Sequence, residues 1–129
     1  MSALYSEVLL DHFRNPRNCG SLIDADISHE DVNPLCGDRI RIEVRLRDGV
    51  IEEARFRGDG CAISIAAASV LTELIVGANI ARNEVISGEE LVSSLRSEIK
   101  ASRLKCALLP LEVLRSGIEI YKAGDQRSD

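Results

Sequence analysis

The sequence predicts an α+β domain in which helices pack on one face of a three-stranded antiparallel sheet. Apolar and charged residues alternate over residues 39–47, and apolar residues recur at helical spacing before and after that region. The chain has 129 residues, a length that suits one domain with one hydrophobic core. We therefore expect a single domain over residues 1–129, with frayed ends at residues 1–3 and 123–129.

The first two elements are a helix and a strand. Helical spacing over residues 3–15 predicts the helix, and its apolar face carries Leu4, Val8, Leu9 and Phe13. Pro16 ends it, because the residue before a proline avoids the helical region. Loose alternation over residues 25–33 predicts the first strand.

The second and third strands form the clearest predicted pair. Strict alternation places one set of side chains on a buried face, namely Ile40, Ile42, Val44 and Leu46. Asp48 and Gly49 predict the hairpin turn, since glycine tolerates the positive φ that such turns require. The third strand is expected from Val50 to Arg57, with a bulge or strand start at Glu52, where the alternation breaks.

Three helices are expected after the sheet. The apolar stretch from Ala62 to Val76 predicts a buried helix that ends at Gly77 and is too short to span a membrane. Ser87 opens the next helix, because Glu90 follows it at the spacing of a capping box.

The last helix is expected to run from near Cys106 to Lys122. A proline disrupts a helix interior and is harmless in the first turn. Pro110 therefore predicts that the helix begins only a few residues earlier, with Cys106 at or just before its N-terminus.

Composition excludes several classes of protein. A net charge of −5 argues against a primary role on nucleic acid. The first helix carries acidic residues and no long apolar run, so a secretion signal and a membrane role are not expected. Four cysteines are too few for a disulfide-stapled miniprotein. We expect a cytoplasmic location, where thiols stay free for metal or sulfur chemistry.

Three cysteines, Cys36, Cys61 and Cys106, lie on connections at the ends of predicted elements. If the fold brings them together, Asp38 is the nearest candidate for a fourth ligand. Such a donor set suits zinc, and the carboxylate weakens the binding of an iron–sulfur cluster. Lys105 adds a positive charge that stabilises the Cys106 thiolate.

Simpler interpretations stay open for each of these residues. A cysteine is often a small buried apolar residue, Asp38 suits a turn, and Lys105 suits a solvated helix start. Cys19 fits no site and is interpreted as a bystander. Four arginines alternate along the predicted second strand, namely Arg39, Arg41, Arg45 and Arg47. They form either the solvent-exposed face of the sheet or a docking surface for an acidic partner.

The motifs resemble those of the U-type iron–sulfur cluster assembly scaffolds, the family of IscU, SufU and the N-terminal domain of NifU. The resemblance covers roughly residues 4 to 122. The matching segments are Tyr5–Val8, Asp11–Asn18 with Gly20, Cys36–Asp38, Gly60–Ser64, and Cys106 with the leucine-rich helix behind it.

This resemblance implies a carrier rather than an enzyme. It implies that the protein accepts sulfur from a cysteine desulfurase as a persulfide, assembles a transient [2Fe–2S] cluster and passes it to apo-proteins. The implied ligands are Cys36, Asp38, Cys61 and Cys106. Cys106 resembles the persulfide acceptor, and Asp38 the residue that keeps the cluster labile. An acidic iron-supply or regulatory protein is a further expected partner.

Two departures keep an alternative open. Lys105 stands where IscU has histidine, and residues 101–105 lack the chaperone motif of IscU. Both features resemble SufU, which implies bound zinc and zinc-dependent sulfur transfer, so that the enzyme status stays open. The stretch between Cys61 and Cys106 has no room for the insertion that is usual in SufU. A purely structural zinc site is the third hypothesis.

Overall fold

The order of the elements is a helix, three strands and three more helices. A computed structural model describes residues 5–35, 37–81 and 85–127, and side chains as far as residue 124. The elements are α1 (Glu7–Arg14), β1 (Ile27–Val32), β2 (Arg39–Arg47), β3 (Val50–Asp59), α2 (Ala62–Ile75), α3 (Gly88–Ser94) and α4 (Leu104–Arg127). A short 3₁₀ turn, Ala101–Arg103, leads into α4. The predicted α+β class is confirmed.

The sheet has the strand order β1-β2-β3, and both pairs of strands are antiparallel. The predicted hairpin turn is confirmed, because Asp48 and Gly49 have φ values of 54° and 80°. The register shifts where Leu46 pairs with Ile51 and Arg45 pairs with Glu53. This shift leaves Glu52 as the extra residue, at the position where the alternation predicted an irregularity.

The helices cover one face of the sheet. Helix α4 packs on β1 and β2, α2 packs on β3, and α1 packs on α2. Where α4 crosses β1, a Cβ on Gly117 would lie 2.8 Å from Cγ2 of Ile27, so this crossing requires glycine. The core between the layers is aliphatic around one aromatic ring; its fully buried members include Phe56, Leu9, Ile40, Ile42, Ile51, Ile63, Leu71, Ile75, Leu91, Leu95, Leu111 and Leu114.

The opposite face of the sheet is charged, and its arginines pair with acids on the same face. Arg45 bonds Glu53 at 2.8 Å, and Arg41 bonds Glu43 at 2.7 Å. Glu43 is buried and also accepts a hydrogen bond from the amide of Leu22. Burial alone would raise the pKa of Glu43, but the bonds from Arg41 and Leu22 hold that pKa below its ordinary value.

Serine caps fix the starts of two helices. The Ser6 hydroxyl accepts the Leu9 amide at the start of α1 and donates to the carbonyl of Leu95 at 2.7 Å. The Ser87 hydroxyl accepts the Glu90 amide, which confirms the predicted start of α3. The Ser6 cap thereby ties α1 to the chain after α3.

One helix start was predicted wrongly. Helix α4 begins at Leu104, so Cys106 lies in its first turn and Pro110 lies in the helix interior. The 3₁₀ turn before α4 is the reason, because it starts the helical path earlier than Pro110 indicated. Pro110 has no amide hydrogen for the carbonyl of Cys106, so the turn that carries this thiol lacks one bond of the helix ladder.

The two ends of the chain were predicted to fray, and this stays a prediction. Helix α4 continues to Arg127, beyond the expected end at Lys122. Residues 1–4 and 128–129 lie outside the described part of the chain. Among the helices of the described residues, none combines the length and the hydrophobicity needed to cross a bilayer.

Candidate metal centre

The ends of three secondary-structure elements lie close together in the fold. Asp38 directly precedes β2, Cys61 is the N-cap residue of α2, and Cys106 lies in the first turn of α4. One carboxylate oxygen of Asp38 and the two Sγ atoms all lie within 4.8 Å of one another. The fold therefore brings together residues that are far apart in the sequence. Cys36, the fourth expected ligand, lies outside the described residues.

Asp38 is held in place by the backbone around it. It is 4% exposed, and its Oδ1 accepts the amide of Cys61 at 3.2 Å. Its own carbonyl accepts the amide of Asn33 at 2.8 Å, which closes the turn between β1 and β2. The thiol of Cys61 donates to Oδ2 of Asp38 across 3.6 Å. These bonds orient the carboxylate of Asp38 toward the sulfur atom of Cys61.

Gly60 makes this close approach possible. A Cβ at this position would overlap Oγ of Ser64 and would lie 3.0 Å from Cγ and from Oδ1 of Asp38. Any larger residue would therefore push the carboxylate away from Cys61. The glycine before the second cysteine is a steric requirement of the site.

Both described cysteines of the site occupy helix N-termini. Cys61 caps α2 with extended φ and ψ of −73° and 170°, and it is half-buried. The Ser64 hydroxyl donates to the carbonyl of Cys61 at 3.1 Å and lies 3.8 Å from its sulfur. Cys106 is 3% exposed. Both sulfur atoms therefore lie near unpaired amides and the positive end of a helix dipole.

A guanidinium group that the sequence analysis missed lies beside the two thiols. Arg103 makes a side-chain hydrogen bond to Cys106. The acidic side chain of Cys61, followed by those of Tyr5 and Cys106, raises the pKa of Arg103 above its ordinary value. The available signal was the spacing, since a residue three positions before Cys106 shares its side of a helical turn. Lys105 is exposed, and its role beside the thiol stays a prediction.

The donor set fits zinc. Thiolate sulfur and carboxylate oxygen are both zinc ligands, and ligand atoms around a tetrahedral zinc ion lie roughly 3.5–3.8 Å apart. The separations of up to 4.8 Å among the three donor atoms are within about 1 Å of that distance. Cys19 is exposed and is not part of this group.

Comparison with known proteins places the chain in a family. The model of the NifU-like N-terminal domain matches residues 4–128, and the chain belongs to this family. It is 34% identical to the zinc-dependent sulfurtransferase SufU of Bacillus subtilis, over 97% of this chain and 96% of that protein. It is 32% identical to the iron–sulfur cluster assembly scaffold protein IscU of Escherichia coli K12, over 92% and 94% respectively.

Solved structures show the same fold. A SufU protein of Fervidobacterium islandicum AW-1 superimposes with a TM-score of 0.75 at 24% identity, covering 89% of this chain and 96% of that one. The N-terminal part of a NifU-like protein from Brucella abortus gives a TM-score of 0.76 at 18% identity, covering 93% and 95%. The predicted resemblance to the U-type scaffolds is confirmed.

Proposed function

We propose that this protein assembles a labile [2Fe–2S] cluster, which is its cargo, from iron, from sulfur that a cysteine desulfurase delivers as a persulfide, and from electrons of a reductant that convert this sulfur to sulfide. The cluster then passes to apo-proteins. The observation that supports this most directly is the meeting of Asp38, Cys61 and Cys106 at three element ends. The proposed ligands are these three residues and Cys36. The similarity to IscU of Escherichia coli, which is named a cluster assembly scaffold, supports the same function.

Cys106 is the proposed sulfur acceptor. Its thiolate attacks the outer sulfur of the donor persulfide, the sulfur–sulfur bond of the donor breaks, and the donor cysteine leaves as a thiolate. The helix N-terminus and Arg103 both favour the attacking thiolate. Because Cys106 is only 3% exposed, the transfer requires a movement of its neighbours. The missing ladder bond between Pro110 and the carbonyl of Cys106 makes its helical turn easier to move.

Zinc-dependent sulfur transfer is the second candidate. Two thiols and a carboxylate form a donor set that suits zinc, and the relative from Bacillus subtilis is named a zinc-dependent sulfurtransferase. Zinc, when bound by Cys36, Asp38, Cys61 and Cys106, keeps the thiols deprotonated. In this alternative the protein is a sulfurtransferase, whereas the scaffold is a carrier without catalytic turnover.

The proposal also includes partners and a location. A cysteine desulfurase and apo iron–sulfur proteins are the required partners, and a reducing cytoplasm keeps the three thiols free. An acidic iron-supply or regulatory protein stays a weaker part of the proposal. Arg39, Arg41 and Arg45 already pair with acids of the same face, so this surface offers an acidic partner little uncompensated charge.

One experiment separates the candidates. Protein purified without oxygen is analysed for zinc, iron and sulfide, and is then incubated with ferrous iron, cysteine, a cysteine desulfurase and a reductant. A scaffold develops a visible [2Fe–2S] absorption that an apo-protein can remove. A sulfurtransferase retains zinc and raises desulfurase turnover without forming a cluster.

Two variants serve as controls in this experiment. Cys106→Ser is expected to abolish persulfide labelling at its position, whereas Cys19→Ser, which removes an exposed thiol outside the site, leaves labelling unchanged. Undiminished sulfur acceptance by the Cys106→Ser variant contradicts both candidate functions.

A further inference from the structure

A small cavity lies next to Arg103, the residue that contacts Cys106, and the candidate functions do not use it. Its volume is about 170 Å³, and its lining residues are Tyr5, Ile63, Glu98, Ile99, Lys100 and Arg103. It adjoins a wider groove of about 510 Å³ that shares four of these residues and adds Ser6, Arg96 and Ser97. The small cavity and the wider groove are therefore neighbours with a shared wall.

Two lining residues connect this cavity to the sulfur atoms. Arg103 lines the cavity and makes a hydrogen bond to Cys106. Ile63 lines it from the first turn of α2, the helix that Cys61 caps. A molecule in the cavity therefore lies against the same guanidinium that contacts the proposed sulfur acceptor.

The walls of the cavity are fixed by hydrogen bonds between distant parts of the chain. The amide of Ser6 donates to Oγ of Ser97 at 3.0 Å, and the hydroxyl of Ser6 donates to the carbonyl of Leu95 at 2.7 Å. The amide of Arg103 donates to the carbonyl of Lys100 at 2.8 Å. These bonds hold the residues next to Tyr5 against residues 95–100, so the cavity exists before any ligand arrives.

The charge of the lining favours an anion. Lys100 and Arg103 contribute two cations and Glu98 one acid, in a chain whose net charge is −5. Within the described residues, Lys100 makes no ion pair that would compensate its charge. Tyr5 adds a phenol that can donate a hydrogen bond, and Ile63 and Ile99 supply apolar contact. These groups match a short apolar molecule with a carboxylate at one end.

We propose that the cavity binds the carboxylate of a small anionic thiol, and that this thiol takes over the sulfur from Cys106. The volume of about 170 Å³ equals that of roughly five to six water molecules, which suits a molecule the size of mercaptoacetate and excludes a folded partner. This inference rests on the proposed sulfur acceptance by Cys106.

The transfer needs no additional oxidant or reductant. The thiolate of the bound molecule attacks the outer sulfur of the Cys106 persulfide. The sulfur–sulfur bond on Cys106 breaks and a new one forms in the small molecule, which leaves as its persulfide. Cys106 returns to the thiolate form beside Arg103 and is ready for the next sulfur.

The test uses a mixed disulfide and requires no desulfurase. Metal-free protein is treated with methyl methanethiosulfonate, and the loss of the methylthio group from Cys106 is followed by peptide mass. Mercaptoacetate, 2-mercaptoethanol and cysteamine are compared as anionic, neutral and cationic thiols, with rates expressed per thiolate. We expect the mercaptoacetate rate to exceed that of the neutral thiol about tenfold. It should also saturate with concentration, because a binding site can be filled, whereas general electrostatic attraction to the protein surface does not saturate.

Matched variants locate the binding. Lys100→Gln is expected to lower the advantage of mercaptoacetate about fivefold and to leave the 2-mercaptoethanol rate unchanged, and Lys100→Arg is expected to keep the advantage. Arg47→Gln removes a 75%-exposed cation at the far end of the sheet and leaves all three rates unchanged. Lys100 and Arg47 are both exposed, so these variants fold.

Two outcomes overturn the inference. One is a mercaptoacetate rate that stays linear with concentration in the unsubstituted protein. The other is saturation that is identical in the Lys100→Gln variant. Both are distinct from failure of the proposed function, which appears when a desulfurase fails to load Cys106 while the preference for anionic thiols persists.

Discussion

Helix α2 contributes to two polar clusters. The groups of one bond to one another, whereas the other contains acidic ligands that a cation can bind. In the middle of the helix, Ser69 and Thr72 meet His12 and the turn after α1. At its N-terminus, Cys61 meets Asp38 and Cys106. We call the first the hydroxyl cluster (His12, Arg17, Asn18, Ser69 and Thr72) and the second the thiol cluster (Asp38, Cys61, Arg103 and Cys106).

The groups of the hydroxyl cluster bond to one another through hydroxyls, amides and an imidazole nitrogen. The Ser69 hydroxyl lies 2.7 Å from Nδ1 of His12 and accepts the amide of Arg17 at 2.8 Å. The Thr72 hydroxyl donates to the carbonyl of Ser69 and accepts from the side-chain amide of Asn18 at 3.1 Å. These bonds join the residues of α1 and of the turn after it to α2, so the cluster fixes α1 on α2.

The thiol cluster concentrates groups of the same charge. A carboxylate and two thiols, which can all carry negative charge, lie within 4.8 Å of one another, and Arg103 beside them is exposed to water. Like charges at this separation repel, and an added cation lowers the energy of all three groups at once. A polar cluster that is satisfied internally stabilises the fold, whereas one that needs a cation provides a binding site.

The largest expected effect is on metal binding. Cys61→Ser removes a sulfur ligand and is expected to weaken zinc binding by at least about a hundredfold, more than the loss of a residue that only supports a ligand. Competition with a chromophoric chelator measures the affinity. Ser69→Ala, on the same helix, is the control and is expected to leave zinc affinity unchanged; an equal loss in both variants would erase the distinction between the clusters.

The reverse effect is expected on stability. Ser69→Ala leaves Nδ1 of His12 and the amide of Arg17 without their partner, and this should cost about 2–3 kcal/mol of the free energy of unfolding. Denaturant unfolding of the metal-free protein measures it. Ser28→Ala, at an exposed position of β1, should change the stability by less than about 0.5 kcal/mol. A similarly small change for Ser69→Ala would show that the hydroxyl cluster does not stabilise the fold.

The hydroxyl cluster should also make stability depend on pH. Burial, aided by the charge of Arg17, lowers the pKa of His12 below its ordinary value of 6.5, although Glu73 and Asp11 act in the opposite direction. The unfolded chain therefore binds the proton more tightly than the native protein does. The stabilisation is complete above about pH 6.5 and is lost as the pH falls through that value toward the lower native pKa.

The measurement is the free energy of unfolding of metal-free protein between pH 7.5 and about pH 5. His12→Gln keeps a side chain of similar length and removes the titration, so its stability should fall less over this range. If the two proteins lose stability equally, other groups cause the pH dependence.

Local features of the fold were predictable from the sequence, whereas several contacts in and near the site were not. Alternation, turn residues and the break at Glu52 act between near neighbours, so the β2–β3 hairpin was predicted in detail. Cys61 and Cys106 were expected to converge with Cys36 because all three cysteines were placed at element ends, and Asp38 was expected beside them as the nearest carboxylate to Cys36. The structure adds side-chain contacts that the sequence pattern does not show. Arg103 lies beside the thiols, and Glu43 is buried where the amide of Leu22 bonds to it.

The start of α4 shows a different limit. Pro110 predicts a nearby helix start when local rules alone are applied. The 3₁₀ turn at Ala101–Arg103 and the packing of α4 on the sheet outweigh the cost of an interior proline. Local signals therefore predicted the start of α4 to within a few residues of its observed position at Leu104. Tertiary packing decided that Cys106 lies inside the first turn of the helix.

A smaller effect is expected when the carboxylate of the thiol cluster is removed. If a cluster forms as proposed, Asp38→Ala removes a hard oxygen ligand among sulfur ligands and should slow the release of the [2Fe–2S] cluster severalfold. The decay of the visible absorption in the presence of an apo-protein measures the release. Asp31→Ala removes an exposed acid of β1 and should not alter the rate. Faster loss of the cluster from the Asp38→Ala protein would reverse the role assigned to this carboxylate.

The smallest expected effect separates two cations near Cys106. Both side chains are exposed, but Arg103 makes a hydrogen bond to the thiol, whereas Lys105 is predicted to act on it through its charge alone. Arg103→Gln should slow the alkylation of Cys106 by iodoacetamide about three- to tenfold at neutral pH, because the thiolate loses its hydrogen-bonded cation. Lys105→Gln should slow it less than about twofold, since solvent screens an exposed charge. Added salt should narrow the small Lys105 effect and leave most of the Arg103 effect, because a direct contact is screened less than a distant charge. Equal effects from the two substitutions would mean that the thiol responds to overall charge, and the contrast between the two clusters would then no longer depend on a specific contact.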